Sequence, residues 1–350
     1  MIDWVTAIVP CSNLDNIQLH DGWFCRVKAS GEKEWEKEIG ISIPGSHDSS
    51  IRISRDSYSG FSHLRIDGNP AKWLQGHNIF GSNDLIGLVN SLMKRLTEII
   101  PLNPSLTNRV AWAEGCYLLK RVDCTEMWEL PSLKDVLTWL NVAQHQAKSR
   151  HGRPIMTGGT LYFGKNSRRW AFKFYSKGEE IRVKNHTLPS TLPLLEKLNT
   201  FAGNKLRGEL VLRKPMLEKQ NYHYAGNWTE ETSSYFFNHY LKKIEFSDQF
   251  KLTNRVIDGL KPRLNLAYNS WIEGHDLKSI LPKNTFYRYR REMLAFGIDI
   301  SVSKKNERTR PIQLKDVVHS EPIQIPQWAL GTDIYFVPEK LPERNVEIAV

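Results

Sequence analysis

Three stretches decide the fold: CYLLKRVDCTEMW (116–128), RRWAFKFYSK (168–177) and KLRGELVLRK (205–214). Each alternates polar and apolar side chains with the period of two that places successive residues on opposite faces of a β-strand. In the first, Arg121, Asp123 and Thr125 share a face while Val122 and Cys124 point the other way. In the third, Arg207, Glu209 and Arg213 lie opposite Leu206, Leu210 and Leu212. The middle stretch turns Trp170, Phe172 and Phe174 toward a core and leaves Arg169, Lys173, Tyr175 and Lys177 on the other side. If the three strands are neighbours with polar faces aligned, two carboxylates, one tyrosine and several cations stand over one sheet surface.

That inventory suits phosphodiester transfer. Two carboxylates can hold a hard divalent cation through oxygen, Mg²⁺ or Mn²⁺, and such a cation polarises a scissile phosphate. A phenol has a pKa of about 10, so ionising it near pH 7 costs roughly 4 kcal/mol. A neighbouring ammonium such as Lys177 or Lys173 offsets part of that cost. The same alternation also describes an ordinary solvated sheet face, whose cross-strand ion pairs are worth little. By itself Tyr175 reads more often as a structural aromatic than as a nucleophile.

Around these strands the chain reads as α+β. Residues 1–60 read as short strands and turns, with a turn at PGSHDSS (44–50), and a strand-like stretch near His63–Ile66 leads into NPAKWLQGHNIFG (69–81). A helix capped by Ser82 or Asn83 follows, with Leu85, Leu88, Val89, Leu92 and Leu96 at helical spacing. Residues 131–150 and 192–203 read as further helices, and TLYFG (160–164) as a strand before a turn at KNS. After Gly226 the pattern becomes helical, beginning with TEETSSYFFNHYLKKI (229–244) and Thr229 as its N-cap. The expected division is an α+β domain over 1–226 and a mostly helical domain with an irregular tail over 227–350. In that second part DLKSIL, a Pro-Lys turn and NTFYRYRREMLAFG (284–297) have the layout of a helix-turn-helix. Arg288, Arg290 and Arg291 are candidates for phosphate or base contacts, while Phe286, Tyr289, Met293 and Phe296 recur at the spacing of an inward face.

Composition narrows the partners. Lys and Arg number 48 against 38 Asp and Glu, a formal charge of +10, which makes anionic partners the first to consider. The four cysteines show no metal-ligand spacing and read as free thiols. No apolar run approaches the roughly 20 residues that span a bilayer, and the first residues make a poor signal peptide, so the expected location is the cytoplasm.

Several segments, in order, resemble the gene II replication initiators of filamentous phages. NPAKWLQGHNIFGSNDL (69–85) is similar to their S-P-A-K-x-L-Q-G-H-N-x-F-G segment, and Arg121-Val-Asp123-Cys-Thr125 to their R-I-D-x-T strand. Thr160, Ser167, Arg168, Tyr175 and Lys177 fall without a gap on their T…S-R…Y-x-K segment. Leu206-Arg207-Gly-Glu209 resembles their R-x-E strand, and LPKNTFYRY (281–289) their M-P-R-N-S-F-W-R-Y. The paired-histidine metal motif of the wider rolling-circle initiator superfamily has no counterpart here.

The resemblance implies an α+β protein: an antiparallel-sheet nuclease domain of the rolling-circle initiator type, followed by a smaller helical, helix-turn-helix-like domain. It implies an enzyme that nicks one strand of a double-stranded replicative form at its origin. Such an enzyme holds the 5′-phosphate on tyrosine, frees a 3′-OH for host polymerase and later rejoins the displaced strand. On that reading Tyr175 is the nucleophile with Lys177 beside it, Asp123 and Glu209 are the metal-site residues, and Mg²⁺ or Mn²⁺ is the cofactor. Arg121, Lys173 and Arg207 then join Arg288, Arg290 and Arg291 as candidates for contact with DNA. His77 and Asn78 are also candidates for DNA contact, although His77 reads equally as a turn residue or a metal ligand. Expected partners are double- and single-stranded origin DNA and the helicase and polymerase of a bacterial host, in whose cytoplasm the protein would work, with no membrane. A non-catalytic, repressor-like DNA-binding protein and a metal-dependent nuclease using water are the alternatives.

Overall fold

The computed structural model describes residues 1–14, 17–47, 49–58, 61–150, 152–183, 186–246, 260–294, 298–301 and 314–339. Phe296, one of the residues at inward-face spacing, lies outside the described residues. The strands are β1 (Ile2–Pro10), β2 (His20–Val27), β3 (Lys33–Pro44), β4 (Ser50–Tyr58), β5 (Phe61–Gly68), β6 (Leu118–Glu129), β7 (Ala147–Ser149), β8 (Ile155–Thr157), β9 (Thr160–Phe163), β10 (Trp170–Ser176), β11 (Lys205–Arg213) and β12 (Ile244–Phe246). Ten of them form one antiparallel sheet in the order β2-β3-β4-β5-β1-β6-β11-β10-β9-β8, and β7 pairs with β12 apart from it. The first 60 residues therefore hold strands of 8 to 12 residues rather than short pieces, and the most apolar of them, β1, lies mid-sheet between β5 and β6.

Among the described residues up to 241 the α-helices are α1 (Pro70–Gln75), α2 (Leu85–Ile99), α3 (Leu106–Glu114), α4 (Leu133–Gln146), α5 (Lys177–Glu180), α6 (Leu195–Ala202), α7 (Lys214–Lys219) and α8 (Glu230–Leu241). Neither Ser82 nor Asn83 caps α2. The cap is Asp84, whose carboxylate accepts the Gly87 N–H at 2.8 Å, while the Ser82 hydroxyl accepts the Asp84 N–H one step earlier. Thr229 does stand at the N-cap of α8, its own N–H donated to the Thr232 hydroxyl at 2.9 Å.

One face of the sheet is apolar. Val122, Cys124, Leu210, Leu212, Phe172 and Phe174 are all fully buried there, with Trp139 of α4 and Phe237 of α8 against the phenylalanines at ring separations of 5.0 and 4.9 Å. Gly208 allows this approach: a Cβ there would stand 2.8 Å from the Phe237 ring. Residues 230–246 thus pack with the sheet. A separate apolar cluster, including Leu264, Tyr268, Leu277, Phe286 and Met293, joins the helices Pro262–Ile272, Leu277–Ile280 and Lys283–Leu294. In the last of these Phe286 and Met293 are buried and Tyr289 is partly buried, the inward face its spacing predicts.

The tail returns to the sheet. Leu314 and Val318 join the main core, Ile323 donates its N–H to the Met127 carbonyl at 2.8 Å, and Ala329 and Ile334 close a third cluster with Ile79, Phe80 and Met127. No helix among the described residues is long and apolar enough to cross a membrane. Cys11 and Cys124 are buried free thiols, and Cys25 and Cys116 exposed ones.

Candidate active site

The three decisive strands are neighbours, in the order β6-β11-β10, and their register brings the polar residues onto one face. Glu209 stands opposite Thr125 on one side and Lys173 on the other; Arg207 stands opposite Tyr175; Asp123 stands opposite Val211. Asp123 and Glu209 are therefore diagonal neighbours on adjacent strands, a spacing side chains can bridge.

Within this face both carboxylates are paired with cations. Glu209 accepts the Lys173 ammonium on one carboxylate oxygen and the Tyr175 phenol, at 3.4 Å, on the other. Arg121 holds Asp123 through two parallel hydrogen bonds, one of 2.7 Å from Nε, and its guanidinium lies over the Trp4 ring. Arg207 is fully buried, donating to Asp3 at 2.7 Å, to the Thr125 hydroxyl at 3.1 Å and to the Asn78 carbonyl.

The loop after α1 supplies the remaining piece. Gly76, in the left-handed region with φ of 87°, closes α1 and turns the chain over the face. Asn78 then donates to Asp3 at 3.0 Å and accepts the Lys177 ammonium at 2.8 Å.

Burial governs protonation here. It pushes the Tyr175 phenol well above its ordinary value of 10, and nearby Arg207 does not reverse this. It likewise pushes Asp123 up to about 8, against the hydrogen bonds of Arg121 and with the help of the neighbouring Glu209 charge. For Asp3 burial acts in the same sense, but Arg207, Lys177 and the Asn78 amide outweigh it and hold the carboxyl below its ordinary value.

The structure thus gathers Tyr175, Lys173, Glu209, Asp123, Arg121, Arg207 and Asn78 on one surface. Lys177 leaves the strand: β10 ends at Ser176, whose hydroxyl caps α5, and Lys177 is buried between Asn78 and Glu180 rather than sharing the strand face of Tyr175. Burial lowers its ammonium, with Glu180 pulling the other way. His77 turns away from the face and is fully enclosed. Its Nε2 lies 2.7 Å from the Ile334 carbonyl and its Nδ1 accepts the Ile79 N–H, which fixes a neutral ring. Arg288, Arg290 and Arg291 belong to the helical cluster; Arg290 forks onto Asp299 at 2.7 and 2.8 Å, while Arg288 and Arg291 are exposed.

Asp3 is the residue that sequence reasoning misses. Simple alternation places it with Val5 and Ala7 in the core. A register shift between Ile2 and Trp4, which pair with Cys124 and Asp123, makes Asp3 the extra residue of a bulge and frees its carboxylate to meet Arg207, Asn69 and Asn78. A lone acid inside an apolar strand is the one signal that could have exposed it.

A divalent cation fits the donors present. Asp123 and Glu209 offer two carboxylates whose charges oppose one another in a buried setting, a repulsion a cation would relieve. No three His, Cys, Asp or Glu side chains converge among the described residues.

The molecule so described is a mixed α+β protein whose antiparallel sheet carries an acid, phenol and guanidinium constellation on one face. The family model for the N-terminal part of the phage replication-associated protein, the gene II product, matches residues 1–231, and the model for its C-terminal part matches 254–331. The chain belongs to this family of phage replication-associated proteins. The replication-associated protein of Enterobacteria phage I2-2 is 39% identical over 332 residues, covering 93% of this chain and 95% of that protein. A rolling circle replication initiator protein from Geobacillus stearothermophilus aligns with a TM-score of 0.33 and 14% identity over 73% of this chain and 89% of that one.

Proposed function

We propose that this rolling-circle replication initiator nicks one strand of a double-stranded replicative form at its origin through Tyr175, then rejoins the displaced strand. The observation that carries the reading is the register that sets Tyr175 opposite Arg207 with its phenol on Glu209. In the first transfer the Tyr175 oxygen attacks phosphorus, and a 5′-phosphotyrosine bond forms as the bond to the 3′ oxygen breaks. The released oxygen takes a proton to become the 3′-OH, and the phenol proton leaves toward Glu209. Rejoining is the reverse: a 3′-OH attacks the phosphotyrosine and the phenol is restored.

Ionising the phenol is the costly part, and the Arg207 guanidinium is placed to stabilise the phenolate. Asp3, Thr125 and Asn78 hold Arg207 in that position. Asp123 and Glu209 would hold Mg²⁺ or Mn²⁺, which when bound polarises the phosphate and withdraws its developing charge. Arg121 and Lys173, released from those carboxylates, can turn to phosphate oxygens; their side chains are 35% and 20% exposed, against none for Arg207. We assign nicking and joining to residues 1–226 and DNA binding to 227–350, chiefly through the Lys283–Leu294 helix. The 3′-OH would prime host polymerase, with host helicase opening the duplex, in the bacterial cytoplasm.

Tyr175→Phe tests the reading, because it removes one oxygen from a position where the ring can stay. The variant should fold and bind origin DNA yet leave no protein attached to a 5′ end. An undiminished adduct would move the nucleophile elsewhere, with Tyr162, opposite Lys173 on β9, the next to try.

A further inference from the structure

Two of the cations that alternation places on the reaction face, Arg169 and Arg213, have no part in the chemistry above. Row by row along the strands, that face runs from Tyr175 and Arg207 through Lys173, Glu209 and Thr125 to Ala171, Val211 and Asp123. The row after these is cationic. Arg213, the last residue of β11, stands opposite Arg121 of β6, and its N–H donates at 3.0 Å to the carbonyl of Arg169, one residue before β10. Beyond Arg121 the row passes to Thr6 of β1 and then Asp67 of β5, which hydrogen-bond to each other.

Like charges set directly opposite on neighbouring strands repel, and little here offsets the repulsion. Arg121 commits two donors to Asp123, and Asp67 accepts from Trp4 and Thr6. Arg213 enters no ion pair among the described residues. Its side chain is half-buried, and its Nη1 is fully enclosed without a hydrogen-bond partner among them. Burial and then the Arg121 charge lower its guanidinium below the ordinary value, with Asp123 pulling the other way. An enclosed donor without an acceptor is expensive, so this end of the face calls for an anion.

The anion that fits is a phosphodiester, which a guanidinium fork meets through paired oxygens. Arg213 stands four residues along β11 from Glu209, about 13 Å at the rise of an extended strand. A nucleic-acid strand carries one charge per about 3.4 Å in a duplex and fewer when stretched, so that span covers at most about four nucleotides. We propose that Arg213, with Arg121 opposite it, grips one phosphate of the cleaved strand within about four nucleotides of the nick. The grip fixes the line on which the strand crosses the two carboxylates and, being made to phosphate, carries no base preference. The proposal rests on the reading that Tyr175 cleaves a strand lying on this face.

Single-stranded origin oligonucleotides, each with one neutral methylphosphonate in place of a phosphate, provide the test, with affinity read by fluorescence anisotropy on the full chain. On the parent, neutralising one linkage near the nick should weaken binding about tenfold, the scale of a charge-assisted contact. Arg213→Gln should bind the unmodified strand about tenfold more weakly, and neutralising that same linkage should cost it nothing further. Its plot of log affinity against log salt should flatten by roughly 0.7, the share of one phosphate on a single strand. Arg213→Lys, which keeps the charge, should recover part of the affinity together with the sensitive linkage. Unfolding midpoints check that both variants are folded. A folded Arg213→Gln that matches the parent at every linkage would overturn the proposal and leave Arg213 to water. General weakening with the sensitive linkage retained would also overturn it, because a merely structural role has that signature. The parental adduct on the unmodified strand tests the reading beneath: if the parent attaches to no 5′ end, that reading falls and the proposal with it.

Discussion

The sheet face and the Lys283–Leu294 helix are both rich in cations, but they treat them in opposite ways. On the sheet Arg207 and Lys173 are buried or nearly so and meet Asp3 and Glu209, and just past the end of β10 Lys177 is buried against Glu180. On the helix Arg288 and Arg291 stand in solvent, and Arg290 is the one of the three with a carboxylate partner among the described residues, Asp299. A desolvated charge must be compensated, and its neighbours set its protonation state. A solvated one is free to meet phosphate and gives affinity that salt erodes. On the proposed reading, the difference separates a surface fitted for chemistry from one fitted for attachment to DNA.

The largest effect should come from the carboxylates of the sheet. Asp123→Ala or Glu209→Ala should slow cleavage about a thousandfold or more, the scale of several kcal/mol of lost phosphate activation. Origin binding should stay near the parental value, since a carboxylate beside phosphate repels it. A nicking assay run beside a binding titration checks this, and full cleavage in EDTA would remove the metal from the account. Next comes Asp3, where Asp3→Ala leaves the buried Arg207 guanidinium without its ion-pair partner. The expected loss is about 3–5 kcal/mol of stability, seen in denaturant unfolding. A cost below about 1 kcal/mol would mean that the network does not hold Arg207.

A smaller effect depends on pH. Burial lowers the His77 imidazole to about 4 in the folded state, against the hydrogen bond to the Ile334 carbonyl, while the unfolded ring titrates near its ordinary 6.5. The unfolded chain therefore binds the extra proton first as pH falls. Stability from this group is intact above about 6.5 and declines, by about 3 kcal/mol in all, on the way down to about 4. Unfolding measured at stepwise pH should show this slope in the parent and lose it in His77→Gln. Identical slopes would contradict the buried neutral ring.

The smallest effects belong to the helix. Arg288→Ala and Arg291→Ala should each flatten the plot of log affinity against log salt by roughly 0.9 if each loses one phosphate contact. Arg290→Ala should instead weaken the fold through its lost bond to Asp299, with the salt slope unchanged. If all three variants matched the parent on origin and random duplex, recognition would have to reside on the sheet.

Much of this was legible in the residue pattern because strands write themselves with a period of two. The polar faces of 116–128, 168–177 and 205–214 could be read directly, and the resemblance at 69–85 and across Thr160–Lys177 ordered their candidates. What escaped the pattern depends on departures from it or on distance. Asp3 reaches the site only through a bulge, and Lys177 leaves the strand because Ser176 caps a helix turn. His77 finds its partner 257 residues away in the tail. Local periodicity carries no record of any of these.

The central claim is that one atom, the Tyr175 oxygen, carries the broken strand. Its most direct test is to trap the parent protein on origin DNA, digest both polymers and identify the residue that retains a nucleotide phosphate by mass spectrometry. The account predicts a single modified peptide spanning Trp170–Ser176 with the phosphate on Tyr175. A phosphate on Tyr162 or any other side chain, or cleaved DNA with a free 5′-phosphate and no modified peptide, would contradict it.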